Sequence, residues 1–155
     1  MINYESGDIL DWADKVDVIG HQVNCFDVMG GGLALQIVNK WPKIKMRYRE
    51  IVITQRSLLG TCQIVNAGDC LIANLFGQYD VGGGLQTDYK ALYKALNSLK
   101  LKMKEYGMTC LALPVNLVCG LAGGDWRIVL AIIEGLFGES DIQVILVKFA
   151  PKNKR

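Results

Sequence analysis

The chain has 155 residues, 51% of them hydrophobic and 21% charged, a balance that fits one globular domain and excludes an intrinsically disordered chain. Seventeen basic against fifteen acidic residues leave a formal net charge of +2, so no whole-molecule field selects nucleic acid or membrane as the main partner. Five cysteines (Cys25, Cys62, Cys70, Cys110 and Cys119) form no CxxC pair and accompany a single histidine, which argues against a zinc site or a disulfide framework.

The opening MINYESGDILDW reads as a strand rather than a basic segment followed by an apolar helix, so no signal peptide is expected. No apolar run approaches the roughly 18 residues that span a bilayer. These features predict a protein with no membrane partner in a reducing cytoplasm, or in a host's cytoplasm if the chain is phage-borne.

In chain order, Ile2 to Ser6 is an edge-like strand ended by Gly7, and the β-branched run Val16 to Val23 is a buried central strand. Gly30, Gly31 and Gly32 lead into a helix over Leu33 to Lys40, with Leu33, Ile37 and Trp41 at helical spacing. Pro42 starts a second helix running to about Ile53, with Ile44, Tyr48 and Ile51 on one face. Thr61 to Val65 and Cys70 to Leu75 flank the turn-rich Asn66 to Asp69 and predict a hairpin. After a loose segment Gln78 to Gln86, Thr87 is expected to cap a long helix in which Leu92, Ala95, Leu96, Leu99 and Met103 form one stripe, ended by Gly107. Thr109 to Leu113 is a strand stopped by Pro114. A glycine-rich loop then runs to Gly124, Asp125 caps a helix through Phe137, and Ile142 to Val147 is the last strand.

About six strands interleaved with helices predict a mixed sheet covered on both faces, with ligands gathering outside the carboxyl ends of the strands. One domain over residues 1–150 is expected, followed by a frayed basic tail at 151–155 that carries Lys152, Lys154 and Arg155. Two glycine runs fall at predicted strand ends. Val28, Met29, Gly30, Gly31 and Gly32 stand between a strand and a helix N-terminus, where close-approaching amides and the helix dipole suit an anion. Gly120, Leu121, Ala122, Gly123 and Gly124 repeat the arrangement, and two such loops on neighbouring strands suit a diphosphate. Each also has a plain reading as a tight turn or a flexible loop. Gly82, Gly83 and Gly84, which lack apolar anchors, read as a linker or a mobile lid.

GDIL at Gly7 to Leu10, HQVNC at His21 to Cys25, VMGGGLALQI at Val28 to Ile37 and CGLAGGDW at Cys119 to Trp126 together resemble the macrodomain family. NLFGQY at Asn74 to Tyr79 and TDYKAL at Thr87 to Leu92 extend the resemblance along nearly the whole chain. It is closest in character to phage and bacterial members that process ADP-ribose-1″-phosphate, which are similar to the yeast ADP-ribose-1″-phosphate phosphatase and to the human terminal ADP-ribose glutamate glycohydrolase class. The resemblance implies a three-layer α/β/α fold around a central mixed sheet of about six strands. It also implies a monomer that uses no metal and no cofactor, and that binds ADP-ribose or ADP-ribose-1″-phosphate, free or carried on protein or nucleic acid. The expected activity is hydrolysis; the alternative is a reader that binds without turnover.

Carried onto this chain, the resemblance makes Asp8 the acceptor for the adenine amino group, with main-chain contacts at Ile9. It places Gln22, Asn24, Met29, Gly30, Gly31, Gly32 and Leu33 on one side of the ligand, and Val118, Cys119, Gly120, Leu121, Ala122 and Gly123 on the other. Asn24 would hold the distal ribose, and its plain alternative is an asparagine that ties down the loop. His21, Asn24 and Asp27 are the catalytic candidates. Strand alternation puts His21 on the face opposite to Asn24, however, and Asp27 also suits a turn cap. Cys25 and Cys119 border the cleft but read as buried fillers, and Asp125 as a helix cap.

Departures from the pattern bear on chemistry. The glutamate glycohydrolase class is understood to use a lysine on the strand aligned with Cys70 to Leu75 and an aspartate in the loop aligned with Gly120 to Gly124; Asn74 and Ala122 stand at those places. An amide cannot form the lysine adduct and alanine cannot act as a base. The aromatic beside adenine is replaced by Val147, with Phe149 two residues on.

Overall fold

The computed structural model describes residues 1–26, 32–51, 55–79, 87–117 and 124–150. Strands β1 (Ile2–Gly7), β2 (Val18–Gln22), β3 (Cys62–Asn66), β4 (Leu71–Leu75), β5 (Cys110–Pro114) and β6 (Gln143–Phe149) form one sheet in the order β1-β6-β5-β2-β4-β3. Every neighbouring pair is parallel except β3 with β4, which form the expected antiparallel hairpin. The hairpin turn is held by Asn66 Oδ1, which accepts from Gly68 N at 2.8 Å.

Helices cover both faces, as the three-layer expectation required. A 3-10 helix (Ile9–Trp12), α1 (Gly32–Lys40), α2 (Lys43–Ile51) and the short α3 (Gln55–Leu58) lie on one side. Here Ile37, Ile44 and Tyr48 pack on Ile19, Val23, Ile72 and Val147. On the other side lie α4 (Tyr89–Glu105) and α5 (Trp126–Phe137), whose Leu92, Leu96, Leu99, Val129 and Ile133 pack on Val18, Ala73, Leu75, Leu111 and Leu146. Alternation along each strand sends successive side chains to opposite layers, which is why β2 contributes Val18 to one cluster and Ile19 to the other. The central strand is packed tightly enough that a Cβ at Gly20 would sit 2.7 Å from Leu113 Cδ2.

Several boundaries differ from the sequence expectation by a residue or two; β2, for example, runs Val18–Gln22 rather than Val16 to Val23. The cap of α4 is Asp88, not Thr87: Asp88 is extended and accepts from Ala91 N at 3.0 Å, whereas Thr87 is held in an isolated antiparallel bridge with Gln78. Helix α2 is described to Ile51 and α3 from Gln55; residues 52–54, which include the expected helix end at about Ile53, lie outside the described residues. Strand β6 runs on to Phe149 because its pairing with β1 continues to Gly7. No described helix is long and apolar enough to cross a membrane. The tail 151–155 lies outside the described residues.

Candidate functional site

Strands β1, β6, β5, β2 and β4 run parallel, so their carboxyl ends share one edge of the sheet. From β2 the chain leaves through α1, α2 and β3 toward β4 on one side; from β5 it leaves through α5 to β6 on the other. Adjacent parallel strands whose connections diverge open a crevice between them, the topological switch point where α/β sheets bind ligands. The two glycine-bearing loops leave these two strands, which are hydrogen-bonded neighbours. Met29, Gly30, Gly31, Asp27, Val118, Cys119, Gly120, Leu121, Ala122 and Gly123 themselves lie outside the described residues, as does the proposed lid Gly82 to Gly84.

Helices that return antiparallel to their strands bring the N-termini of α1, α4 and α5 to this same edge. Asp88 caps α4 and Asp125 caps α5, each with a carboxylate that accepts main-chain N–H. Asp125 is further held by Arg127, whose hydrogen bonds keep its pKa below the ordinary carboxylate value. Helix α1 instead starts at Gly32, in the left-handed region at φ 56°, and has no acidic residue in its first turn. None of the three first turns holds an acidic residue; α4 and α5 carry a capping aspartate, whereas Gly31 precedes α1 in the sequence. Leu33 packs at the border of the core beneath it.

At the far side of the edge, Asp8 follows β1. Its Oδ1 accepts from Leu10 N at 3.0 Å and caps the 3-10 helix, and its other oxygen has no partner among the described residues. Ile9, the first residue of the 3-10 helix, buries its side chain in the core. Phe149 is opposite Gly7 at the end of β6, on the same face as Val147 but 64% exposed where Val147 is buried.

Asn24, just beyond β2, is buried on the α1/α2 side with His21, not on the opposite face as strand alternation predicts, because the strand ends at Gln22; its Oδ1 accepts from Phe26 N at 2.9 Å and from Tyr48 Oη at 2.9 Å. The same tyrosine hydroxyl also makes a short contact to Asn24 O. Tyr48 is fully buried and stacks on Phe76 with ring centroids 5.7 Å apart. Helical spacing alone marks Tyr48 only as a core residue; its hydroxyl, which needs a partner when buried, is the sequence signal for the contact with Asn24.

His21 lies on the α1/α2 face and is 2% exposed. Its Nε2 is 2.6 Å from Asn74 Oδ1, Asn74 Nδ2 donates to Gln63 Oε1 at 3.0 Å, and Gln63 Nε2 donates to Arg47 O at 2.9 Å. A main-chain carbonyl can only accept, so this terminus sets the direction of the whole series and makes His21 Nε2 the donor. His21 Nδ1 is then a buried acceptor with no partner among the described residues. Burial lowers the His21 pKa to about 4, outweighing the opposing pull of the Asn74 hydrogen bond. At neutral pH the imidazole is therefore uncharged and a weak base.

Gln22 points to the opposite, α4 face, where its Nε2 donates to Gln78 Oε1 at 3.1 Å and to Thr87 Oγ1 at 3.2 Å. It thereby fastens the Gln78–Thr87 bridge to the end of β2. The strand ends are laced further by Cys25 N donating to Tyr79 O and by an edge-on Phe26–Tyr79 contact at 4.9 Å. The Cys25 thiol donates to Gln78 O, and burial pushes its pKa up to about 11, which removes it as a nucleophile near neutral pH. Among the described residues no cluster of His, Cys, Asp and Glu is arranged to hold a metal ion. An open groove of about 660 Å³ lies on the α4/α5 side, lined by Tyr93, Ile128, Ala131, Ile132 and Gly135 and, at the α5 cap, by Asp125 and Arg127.

A family model for the Macro domain matches residues 21–133. A protein of Enterobacteria phage T4, known as an uncharacterised 17.5 kDa product of the tk-vs intergenic region, is 25% identical over 163 residues, 97% of this chain and 98% of its own. The macrodomain of Mycobacterium tuberculosis DarG is 26% identical and superposes with a TM-score of 0.81, over 98% of this chain and 99% of that one. Thermosipho africanus DarTG in complex with ADP-ribose is similar in fold, with a TM-score of 0.80 and 20% identity over 99% of this chain and 43% of that one.

Proposed function

The chain belongs to the Macro domain family, and from that premise we propose that it binds ADP-ribose or a derivative in the crevice between the ends of β2 and β5 and hydrolyses a bond at the distal ribose. The observation that carries this reading is that β2 and β5, the strands from which the two glycine-bearing segments lead in sequence, are adjacent and parallel at the switch point, beside α1, whose first turn holds no acidic residue. Such an arrangement suits a diphosphate, whose oxygens take main-chain N–H groups from two sides.

In this reading Asp8 accepts from the adenine amino group through the oxygen that the 3-10 cap leaves over. The exposed ring of Phe149 covers the base, supplying the aromatic face that Val147 lacks. Gly30, Gly31 and Gly32, with Gly120 to Gly123, hold the diphosphate, and Asn24 meets the distal ribose. Turnover is attack of a positioned water at the distal ribose carbon or at its 1″-phosphate. Main-chain donors stabilise the charge that develops, and neither metal nor cofactor takes part. The ligand is free ADP-ribose-1″-phosphate or ADP-ribose attached to protein or nucleic acid.

A second reading, a binder without turnover, is favoured by Asn74. It stands where the glutamate glycohydrolase class is understood to carry lysine, and it is fully buried between His21 and Gln63, so it cannot offer a nucleophile. Titration calorimetry tests the binding: ADP-ribose is expected to bind more tightly than AMP or ATP, and the reverse order refutes the site. Incubation with ADP-ribose-1″-phosphate, and with ADP-ribosylated protein and DNA, separates the two readings. No release above buffer leaves only the binder.

A further inference from the structure

We infer that Tyr48 is a positioning residue that sets the hydrogen-bond polarity of Asn24, so that this amide meets the ligand's distal ribose as a donor only; the inference rests on reading the crevice as an ADP-ribose site. A free asparagine side chain is ambivalent, with an oxygen that accepts and a nitrogen that donates, and a half-turn about its last torsion exchanges them. Here that ambivalence is removed by two neighbours. Phe26 N can only donate, so the Asn24 atom facing it at 2.9 Å is the oxygen. The hydroxyl of Tyr48 then has two Asn24 oxygens before it, Oδ1 and the main-chain O, and its single proton is shared between them.

With both lone-pair directions of Oδ1 engaged, whatever Nδ2 meets, protein or guest, it meets as a donor. Such a group recognises the hydroxyl oxygens of a terminal ribose and offers nothing to a ligand that lacks that sugar. Tyr48 does not itself reach the ligand. It is fully buried, and its ring is fixed by Phe76 behind it and by its place on α2. The clamp thus joins α2 to the end of β2, and neither the helix pattern nor the glycine motif announces it.

Two substitutions test the inference, read by calorimetric titration with ADP-ribose and, separately, AMP, which lacks the distal ribose. Asn24→Asp keeps an oxygen for Phe26 N and for Tyr48 Oη but has no donor. It is expected to lose about tenfold or more in ADP-ribose affinity with AMP affinity unchanged. Tyr48→Phe keeps the ring stacking and removes only the hydroxyl; ADP-ribose affinity is expected to fall about three- to tenfold, again with AMP unchanged. A structural role alone would lower both affinities together.

The side-chain amide resonances of Asn24 in the unliganded protein give an independent readout. A single held pair is expected in the wild type, and a shifted or exchange-broadened pair in Tyr48→Phe. Full ADP-ribose affinity in either variant, equal losses for both ligands, or unchanged amide resonances in Tyr48→Phe would overturn the clamp. A wild type that binds AMP as tightly as ADP-ribose would overturn the crevice reading beneath it.

Discussion

The two faces of the sheet are made from the same strands but are built differently. Beneath α4 and α5 the buried layer is hydrocarbon except at the end of β2, where Gln22 meets Thr87: Val18, Ala73, Leu75, Leu111, Leu113 and Leu146 meet leucines and isoleucines of the helices. Beneath α1 and α2 the strands carry His21, Asn74 and, just past β2, Asn24, all buried and all hydrogen-bonded. Burying a polar group costs stability unless it is paired, so a layer with several of them is held by geometry as much as by area. The α4/α5 face supplies cohesion, while the α1/α2 face fixes orientations at the strand ends where a ligand would sit.

That contrast can be tested by removing groups from each layer in turn. The largest effect is expected from Leu96→Ala on the hydrocarbon side. This side chain is fully buried, and its loss should lower the free energy of unfolding by about 4 kcal/mol in urea melts. ADP-ribose affinity of the folded protein should remain unchanged; a large affinity loss would erase the division of labour.

The next effect is pH dependence from the polar side. The His21 pKa is about 4 in the folded protein against 6.5 as a free group, so the unfolded chain takes up the proton first. Stability is full above about pH 6.5 and falls as pH drops toward 4, by about 3 kcal/mol from this one group. His21→Gln keeps a donor toward Asn74 and cannot titrate, so the slope of stability over this window should flatten relative to wild type; identical slopes would contradict the buried, neutral imidazole.

A smaller loss, about 2 kcal/mol, is expected for Asn74→Leu, which keeps the branched outline of the side chain but leaves His21 Nε2 and Gln63 Oε1 without partners. Unchanged stability there would show that the relay contributes little. Asp8→Ala sits at the small end, about 1 kcal/mol through the lost 3-10 cap. Its affinity for ADP-ribose should nevertheless drop about tenfold, and an unchanged affinity would remove Asp8 from the site.

What could be read from the sequence follows from how local each signal is. The stripe Leu92, Ala95, Leu96, Leu99 and Met103 declares α4 because helical period is local, and all five are buried in one cluster. Asn66 to Asp69 declares the hairpin for the same reason. Thr87 was the wrong cap because the choice between two adjacent capping residues was made by a bridge to Gln78. The His21–Asn74 pair depends on the register of β2 against β4, which joins residues 53 apart and leaves no trace in either segment. Tyr48 carried the apolar face of its helix correctly, but its hydroxyl found a partner 24 residues away. The glycine runs suggest an anion site in each segment by itself, whereas the strand order that makes β2 and β5 neighbours is a property of the assembled sheet.

The bridge between Gln78 and Thr87, pinned from below by Gln22, closes the connection from β4 to α4 at its base. Chain added between these two residues does not have to be accommodated by the sheet, and doubling a flexible loop adds only about 0.6 kcal/mol of closure cost. The interval is therefore a natural graft point: an epitope tag or a fluorophore-bearing peptide spliced in there would be carried on a base already closed by the bridge, with every strand pairing of the sheet left in place.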